Sequence, residues 1–466
     1  MTSERTMYRL LDFMRKYKRG AILGPPGTGK TRLSTWCVCR IVAKDNNKIY
    51  IYTAPLRKLR DYIYWYFKDH GIEPFRLVSH EEYEPIIERY KERFNDYIKA
   101  LKYHLDNDDC RYKEHWEELI RYIIDGGQVI VATHVLGIFA WLLLKKKFPE
   151  KKIYLIIDEG EDYFIKLSTP ITEDFLKALK TIDKRIYRKF RSGLKRFKNF
   201  YFYQPLFVQK AIFYSYIISA TFPQSMLEVL IDEYDYPVYH LRGKKSRDII
   251  VYLDRVLKWE EKKKVIEIKW VPKLLNLLDQ VLVRTVPVGF TSRRKELGEI
   301  VLEDMVNRGW RVSQDVTGLH IDPHADLWIL TIGGKFYRGI SFKPLKGRIR
   351  RGGEEIYDFR VAVGTYQKGE ITIEDDFSPL KLPWTHPVIF QLIDDPWRYN
   401  RELRDGINVQ SLFRFNRYKD LEHTMIILDR RLYNAVHYYL RYYVDTSKKI
   451  RCKSFDEIHA IIRKIF

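Results

Sequence analysis

The chain has 466 residues and a formal net charge of +22, from 83 Lys and Arg against 61 Asp and Glu. This length allows two or three domains, each with a core of its own. The 4 cysteines follow neither a disulfide framework nor the spacing of a four-ligand metal site. Without a signal-peptide core or an apolar run of membrane length, we expect a soluble, cytoplasmic monomer that contacts no membrane, in the host cytoplasm if the chain is viral.

A positive surplus of this size favours a polyanionic partner, and nucleic acid is the most common one. The solvated surface of a thermophilic protein is the alternative, although such surfaces usually balance lysine against glutamate. The 34 Tyr and 25 Phe can serve as core side chains or as stacking surfaces for bases, and composition does not separate the two uses.

The first chemical signal is a phosphate-binding loop between a predicted strand at 20–23 and a predicted helix at 32–40. Its glycines let backbone N–H groups surround a phosphate, and the helix N-terminus adds its positive dipole end. Lys30 is expected to reach the β- and γ-phosphates of a nucleoside triphosphate, and Thr31 to bind Mg²⁺. A glycine-rich turn that matches by chance is the alternative. The predicted nucleotide-binding residues are Gly24, Pro25, Pro26, Gly27, Thr28, Gly29, Lys30 and Thr31.

The rest of the first half alternates short apolar runs with helical stretches. Each run stops at a polar cluster, which is typical of a doubly wound parallel sheet whose ligands lie at the carboxyl ends of the strands. Two segments, 80–125 and 163–210, interrupt the alternation and are predicted to be mostly helical insertions. The predicted strands are 49–52, 129–132, 153–157 and 216–218, and the first lobe is expected to span residues 1–240.

The second half predicts another α/β lobe over residues 241–466. Residues 343–395 are predicted to form a long, partly β connection, and residues 396–418 a helix. Two α/β lobes of similar length suit a tandem nucleotide motor. The other predicted elements are strands at 249–253, 287–290, 328–331 and 424–428 and a helix at 295–308.

Two carboxylates, Asp158 and Glu159, follow the predicted strand 153–157. An NTPase needs one acidic residue to hold Mg²⁺ and a second to deprotonate the attacking water, so Asp158 (with Thr31) suits the metal and Glu159 the water. A strand-end acidic turn is the alternative.

Three further polar residues, Gln410, Arg414 and Arg417, share one face of the predicted helix at 396–418. Two arginines on one face can stabilise the charge of a γ-phosphate in its transition state. A solvated basic face is the alternative.

Two other segments are candidates for contact with nucleic acid. Residues 184–198 combine basic and aromatic side chains, which suits a single strand but also an amphipathic helix with its phenylalanines inward. His134, after Thr133, is either a phosphate contact or a satisfied strand-end histidine. The basic candidates are Arg188, Lys189, Lys195 and Arg196.

The order of these motifs resembles the series of superfamily 2 helicases. Residues 334–342 and 414–431 resemble the C-terminal motifs of the XPD/Rad3/DinG-like branch of that superfamily. The resemblance implies an α/β fold of two tandem RecA-like P-loop NTPase lobes with parallel sheets, and ATP and Mg²⁺ as cofactors. It also implies a DNA helicase that translocates on single-stranded or forked DNA and unwinds duplex, with RNA left open as a partner.

The resemblance also assigns roles to individual residues. It implies catalytic roles for Lys30, Asp158, Glu159, Gln410, Arg414 and Arg417, and a nucleotide contact for Gly339. It implies that hydrolysis is coupled to lobe movement through Ser219, Ala220 and Thr221. The residues that it places on the nucleic-acid track are Thr53, Arg57, His134, Thr291 and Ser292.

The chain departs from this branch at several positions. The segment 80–125 holds only Cys110, so we predict no iron–sulfur cluster. Arg338 and Ser341 stand where the branch usually has acidic residues, and Phe413 replaces a usual glycine. These departures leave the polarity of translocation, the efficiency of unwinding and the preferred nucleic-acid strand undecided. The alternatives are an ATP-driven translocase or remodeller that does not unwind, on DNA or RNA, and a nucleic-acid-binding protein switched by ATP.

Overall fold

The computed structural model describes most of the chain. The contacts within the chain divide it into two compact units, of which the first comprises Met1–Leu23, Gly29–His240 and Ile373–Asn400, and the second Gly24–Thr28, Leu241–Thr372 and Arg401–Phe466. The description covers residues 4–466 except 80–81, 83–111, 161–169, 172–176, 178–179, 182–183, 185–186, 189–193, 198–199, 204–213, 242–247, 258–259, 263–264, 268, 286, 293–294, 315–321, 323, 332–347, 352–353, 358–359, 367–395, 416–422 and 441–447.

Helices and strands alternate along most of the described chain. Among the described helices, none is long and apolar enough to cross a membrane. The helices are α1 Glu4–Lys16, α2 Lys30–Val42, α3 Arg57–Asp69, α4 Tyr112–Ile124, α5 His134–Lys147, α6 Gln224–Tyr234, α7 Val271–Arg284, α8 Lys295–Asn307, α9 Pro396–Leu412, α10 Arg430–Leu440 and α11 Phe455–Ile465.

The first unit is built on a seven-stranded sheet in which every pairing is parallel. The order along the sheet is β10-β1-β9-β5-β2-β4-β3, so β5 lies between β9 and β2. Its central strands are buried apolar runs, which is the pattern expected for strands covered on both faces. The strands are β1 Gly20–Leu23, β2 Lys48–Ala54, β3 Phe75–Arg76, β4 Val129–Thr133, β5 Lys152–Asp158, β9 Ser215–Ser219 and β10 Val238–His240.

A row of tyrosine rings lies across the middle of this sheet. Tyr154 of β5 stacks on Tyr50 of β2 at 5.1 Å between ring centroids and on Tyr216 of β9 at 6.3 Å. Tyr216 also reaches out of the sheet, because its hydroxyl donates to the carbonyl of Met14 at 2.7 Å, two residues before the end of α1. The row therefore ties α1 to the sheet as well as filling the core.

The second unit repeats the plan with a second seven-stranded parallel sheet, in the order β15-β16-β14-β19-β20-β11-β21. Its core joins Val251, Phe290 and Ile426 of three strands to Leu274 of α7 and Ile458 of α11, all of them buried. The strands are β11 Ile249–Leu253, β14 Val288–Ser292, β15 Val312–Gln314, β16 Leu327–Thr331, β19 Val361–Gly364, β20 Thr424–Ile427 and β21 Lys449–Cys452.

Three small antiparallel arrangements accompany the two sheets. One of them lies within the predicted helical insertion 163–210, where the described residues 194–197 and 200–203 form two paired strands instead of helix, and 200–203 also pairs with 170–171. The aromatic run 200–203 explains the difference, because aromatic residues favour strands. The remaining strands are β6 Pro170–Ile171, β7 Leu194–Phe197 and β8 Phe200–Tyr203, the pair β12 Glu260–Lys262 and β13 Val265–Glu267, and the pair β17 Arg348–Arg351 and β18 Glu354–Tyr357.

The predicted plan of two α/β units with parallel sheets is confirmed. Prediction missed the short edge strands and also β19, which lies inside the second sheet between β14 and β20. A run of four residues, Val361–Gly364, is too short to show a strand period among the neighbouring turn residues. Of the predicted insertion 80–125, only Glu82 and residues from Tyr112 onward are described, and the latter form α4.

Candidate functional site

The predicted phosphate-binding loop joins β1 to α2. Gly27 and Gly29 adopt left-handed backbone conformations, with φ of 77° and 74°, which only glycine takes without strain. Thr28 closes the turn, because its hydroxyl donates to the carbonyl of Pro25 at 2.9 Å. Gly29 is the N-cap of α2 and supplies no side-chain cap, and the first turn carries no acidic residue. The start of α2 is therefore suited to an anion.

The carboxyl end of β5 brings a carboxylate to the first turn of α2. The Thr31 hydroxyl donates to Asp158 Oδ2 at 2.7 Å, although the two residues are 127 positions apart. The other oxygen, Oδ1, accepts from the backbone N–H of Glu159 at 3.1 Å. Asp158 is only 3% exposed. The fold thus brings together the two residues that were predicted to hold a metal ion.

This site fits Mg²⁺. A threonine hydroxyl and a carboxylate are the hard oxygen donors that this ion prefers, and both lie at the start of the helix that follows the phosphate loop. Burial, and next the negative charge of Glu159, raise the pKa of Asp158 to about 7, while Thr31 and Lys30 act in the opposite direction. A divalent cation beside this buried carboxylate would offset the cost of its charge.

Glu159 has an unusual backbone. Its φ of 51° lies in the left-handed region, and Asp235 is the only other described non-glycine residue with a positive φ. Such conformations cost about 1 kcal/mol or more and concentrate at functional sites. Strand β5 ends at Asp158, and the strained residue Glu159 directly follows it.

Two residues that prediction missed support the phosphate-loop helix. The Ser34 hydroxyl donates to the carbonyl of Thr31 at 2.9 Å and lies 2.8 Å from the hydroxyl of Tyr52 on β2. Tyr52 and Ser34 are fully buried. They connect the turn that holds Thr31 to the centre of the sheet. A tyrosine in an otherwise apolar buried strand was the available signal, since a buried hydroxyl usually has a partner.

Thr53 and His134 form a buried contact rather than an open surface. The Thr53 hydroxyl donates to the carbonyl of Ile156 on β5 at 3.1 Å, and His134 Nδ1 lies 2.9 Å from the hydroxyl oxygen of Thr53. Both residues are at most 1% exposed. Through Nδ1, this geometry suits the alternative interpretation of His134 as a strand-end histidine that is bonded within the chain. It also connects β2 and the start of α5 to the strand that carries Asp158.

The neighbouring polar residues of the first unit lie at strand and helix ends. Arg57 begins α3, its side chain is 52% exposed, and its guanidinium contacts Glu82 at 3.3 Å. Thr133 is the N-cap of α5 and makes no side-chain cap. Ser219 ends β9, and its hydroxyl accepts from the N–H of Thr221 at 3.1 Å across Ala220. In the sheet register, Asp158 pairs with Ile218, so this turn starts one residue beyond the level of Asp158.

In the second unit, the prediction that Gln410 and Arg414 share one helix face is wrong. Helix α9 ends at Leu412, so Arg414 does not share a helix face with Gln410. Arg414 lies in a turn, with its N–H donating to the carbonyl of Ser411 at 3.1 Å, and it is buried. The neighbouring Phe415 gives the reason, because its ring packs directly on Gly289, where an added Cβ would lie 2.1 Å from the ring. Burial of this aromatic residue draws the chain out of the helix.

The other candidates divide between placed and undescribed residues. Thr291 and Ser292 are buried at the carboxyl end of β14, and Gln410 is buried in α9. Arg188 is exposed, and Lys195 and Arg196 lie in β7. The residues that lie outside the described part of the chain are Lys189, Gly339 and Arg417.

The sequence matches no protein-family model and no curated protein. The fold is similar to solved helicase structures. The Xpd4 structure from S. tokodaii matches 97% of this chain and 100% of its own at 12% identity, with a TM-score of 0.55. A structure described as XPD helicase matches 96% of this chain and 98% of its own at 13% identity, with a TM-score of 0.53. An apo structure of XPD matches 96% and 100% at 12% identity, with a TM-score of 0.51.

At this identity the likeness concerns the fold. The chain has two α/β units, each built on a parallel seven-stranded sheet, and this fold is similar to that of the XPD structures, which confirms the predicted fold class. Function has to be argued from the site.

Proposed function

We propose that the chain is an ATP-dependent DNA helicase of the XPD/DinG type, which translocates on single-stranded DNA and unwinds duplex. The observation that carries the proposal is the 2.7 Å contact between Thr31 and Asp158. This contact joins the end of the predicted phosphate-binding loop to a strand-end carboxylate, and the strained Glu159 directly follows that carboxylate. The helicase fold and the net charge of +22 support nucleic acid as the partner.

The proposed hydrolysis uses four residues of the first unit. Lys30 neutralises charge on the β- and γ-phosphates, and Thr31 and Asp158 hold Mg²⁺. When bound, Mg²⁺ supplies charge stabilisation at the phosphates. Glu159 orients the attacking water and accepts its proton.

Residues of the second unit complete the proposed chemistry. We assign the stabilisation of γ-phosphate charge to Gln410, Arg414 and Arg417, and a nucleotide contact to Gly339. The turn Ser219–Thr221 starts beside β5, which supports its proposed role in coupling hydrolysis to movement.

The proposed nucleic-acid contacts follow the starts of α3 and α5. Because Thr53 and His134 are buried, we propose that they position the starts of α3 and α5. At those helix starts, Arg57 and Thr133 are proposed to contact the nucleic-acid strand. Thr291 and Ser292 take the corresponding role in the second unit. Phosphate contacts from the basic insertion are proposed for Arg188, Lys189, Lys195 and Arg196.

We propose that the protein works without an iron–sulfur cluster. Cys37, Cys39 and Cys452 are free and buried. Burial raises the pKa of Cys39 and of Cys452 to about 11, so these thiols do not ionise readily into ligands. Iron analysis of protein purified without oxygen tests this statement, and a stoichiometric iron content would contradict it.

The first test is the ATPase rate with and without single-stranded DNA, for wild type and Glu159→Gln. We expect strong stimulation that Glu159→Gln abolishes, with ATP binding retained. Glu150→Gln is the matched control, because Glu150 is exposed in the same unit and the change in charge is identical. A rate that neither DNA nor RNA stimulates would refute the motor proposal.

A strand-displacement assay separates the proposal from its main alternative. The residues Arg338 and Ser341, which depart from the branch, favour a translocase or remodeller that does not unwind. Stimulated ATPase without displacement of a duplex of either polarity would establish that alternative, on DNA or on RNA according to which strand stimulates. Nucleic-acid binding that depends on ATP, with turnover near zero, would instead identify an ATP-switched binding protein.

A further inference from the structure

A cavity of about 510 Å³ opens at the amino end of the first sheet. Three of the residues that line it, Arg19, Tyr214 and Pro237, immediately precede β1, β9 and β10. These strands are neighbours in the sheet, in the order β10-β1-β9. Because all of the strands are parallel and Asp158 lies at a carboxyl end, the cavity lies at the opposite edge of the sheet from the nucleotide site.

The lining of the cavity is positively charged. Among the described residues that line it, three are cationic, Lys16, Lys18 and Arg19, and one is acidic, Asp235. The ion pair between Arg19 and Asp235 is long, at 3.7 Å, and the side chain of Asp235 is 89% exposed, so solvent screens it strongly. The cavity therefore retains a net positive charge.

Cations are common at the end of a helix, where they complement its carbonyls. Here two of the last four carbonyls of α1, those of Phe13 and Met14, already have partners. The carbonyl of Phe13 accepts from the N–H of Tyr17 at 3.1 Å, and that of Met14 accepts from the hydroxyl of Tyr216 at 2.7 Å. The charges of Lys16 and Lys18, both exposed, are thus available to an external anion.

The cavity also has aromatic walls on a fixed backbone. Tyr17 lies under the ammonium group of Lys16, which is 5.1 Å from the ring centroid. The ring of Tyr214 packs edge-on against Tyr154 at 5.7 Å. Backbone hydrogen bonds hold the walls, since the carbonyl of Tyr214 accepts from Leu155 and that of Pro237 from Ala21, each at 2.9 Å.

We propose that this cavity is a second nucleotide-binding site, which holds a phosphate at Lys16, Lys18 and Arg19 and a base against Tyr17 or Tyr214. Cations beside aromatic rings are the combination that holds nucleotide units without reading their sequence. The volume lies in the range of small-ligand sites. The same chemistry suits one nucleotide of a single strand or a free nucleotide. The proposal does not depend on ATP hydrolysis at the other edge of the sheet.

The test compares Lys16→Gln/Lys18→Gln with wild type and with Lys146→Gln/Lys147→Gln. The control pair is exposed in the last turn of α5 and loses the same charge. Binding of a fluorescent oligothymidine is measured over a salt series, without ATP. Loss of the one proposed phosphate contact should reduce the magnitude of the slope of log K against log salt by up to about 0.7, and the control should keep the slope of the wild type.

Two further measurements complete the test. Oligonucleotides with 5-iodouracil should crosslink to Tyr17 or Tyr214, as read by mass spectrometry. If the salt slope does not change but the stoichiometry of a fluorescent ATP analogue falls from two to one in the lysine variant, the site binds a free nucleotide. Unchanged slope and stoichiometry, together with no crosslink at either tyrosine, would overturn the proposal. Circular dichroism confirms that the variants are folded.

Discussion

In the protein without nucleotide or metal, the buried charge of Asp158 should lower the free energy of unfolding relative to a variant with a neutral side chain at this position. The substitution Asp158→Asn removes the charge and keeps the size of the side chain. An asparagine can accept from the N–H of Glu159 through Oδ1 and donate to the Thr31 hydroxyl through Nδ2, so it can retain both contacts of the carboxylate. We therefore expect the variant to be more stable than the wild type in EDTA, although it should not hydrolyse ATP.

The magnitude follows from the pKa of Asp158, which burial raises from 3.8 to about 7. The folded protein binds this proton more tightly than the unfolded chain, so the carboxylate costs stability as the pH rises from about 4 to 7 and no more above that. The full cost is about 4 kcal/mol at pH 8.5 and about 2 kcal/mol at pH 5.5. Asp158→Asn should recover about 2–4 kcal/mol at the higher pH and less at the lower.

Urea unfolding followed by circular dichroism, at both pH values in EDTA, measures this difference. Asp12→Asn is the control, because Asp12 is exposed on α1 and its substitution should change stability by less than about 0.5 kcal/mol. A matched experiment adds Mg²⁺ and ATP, which should stabilise the wild type far more than Asp158→Asn. An Asp158→Asn variant that is no more stable than the wild type at pH 8.5 in EDTA would refute the argument.

Three further outcomes are expected. Lys30→Ala should abolish ATP hydrolysis, measured as phosphate release, and normal turnover in a clean preparation would contradict the site assignment. Burial raises the pKa of Glu82, but hydrogen bonds from Arg60 hold that pKa at about 2, so the wild type should lose stability as the pH falls from 4.5 towards 2. Solvent screening reduces this contribution to about 1 kcal/mol. Glu82→Gln should remove it, and acid titrations of unfolding should show no such loss for the variant. Gly137→Ala should cost about 1–3 kcal/mol in thermal unfolding, because its Cβ would lie 2.2 Å from Cγ2 of Thr53; an unchanged melting temperature would show that α5 shifts freely.

Much of the geometry of the proposed nucleotide site could be predicted because its signals are local. The loop Gly24–Thr31 needs glycines at positions with positive φ, and Gly27 and Gly29 have them. The carboxylates were expected at a strand end because an apolar run stops at Asp158. Arg414 was predicted wrongly on a helix face, because the end of α9 depends on where Phe415 packs and no local signal reports that.

The supporting residues show a second limit of prediction. Tyr52 and Ser34 are 18 positions apart and meet only because α2 packs on β2. The hydroxyl of Thr53 could have faced a nucleic-acid strand, yet the sheet places it against the carbonyl of Ile156, 103 residues away. A polar residue at a strand end looks the same in sequence whether it faces solvent or a neighbouring strand.

The sequence by itself determined the glycine-rich loop before α2, the acidic strand end, the parallel character of both sheets and the positive charge. These features depend on residue type and short-range spacing, which act before the chain folds. Only the tertiary structure decided that Thr31 meets Asp158 and that Lys16, Tyr214 and Pro237 surround one cavity. The reason is strand order: a sheet in the order β10-β1-β9-β5-β2-β4-β3 makes neighbours of segments that no local pattern relates.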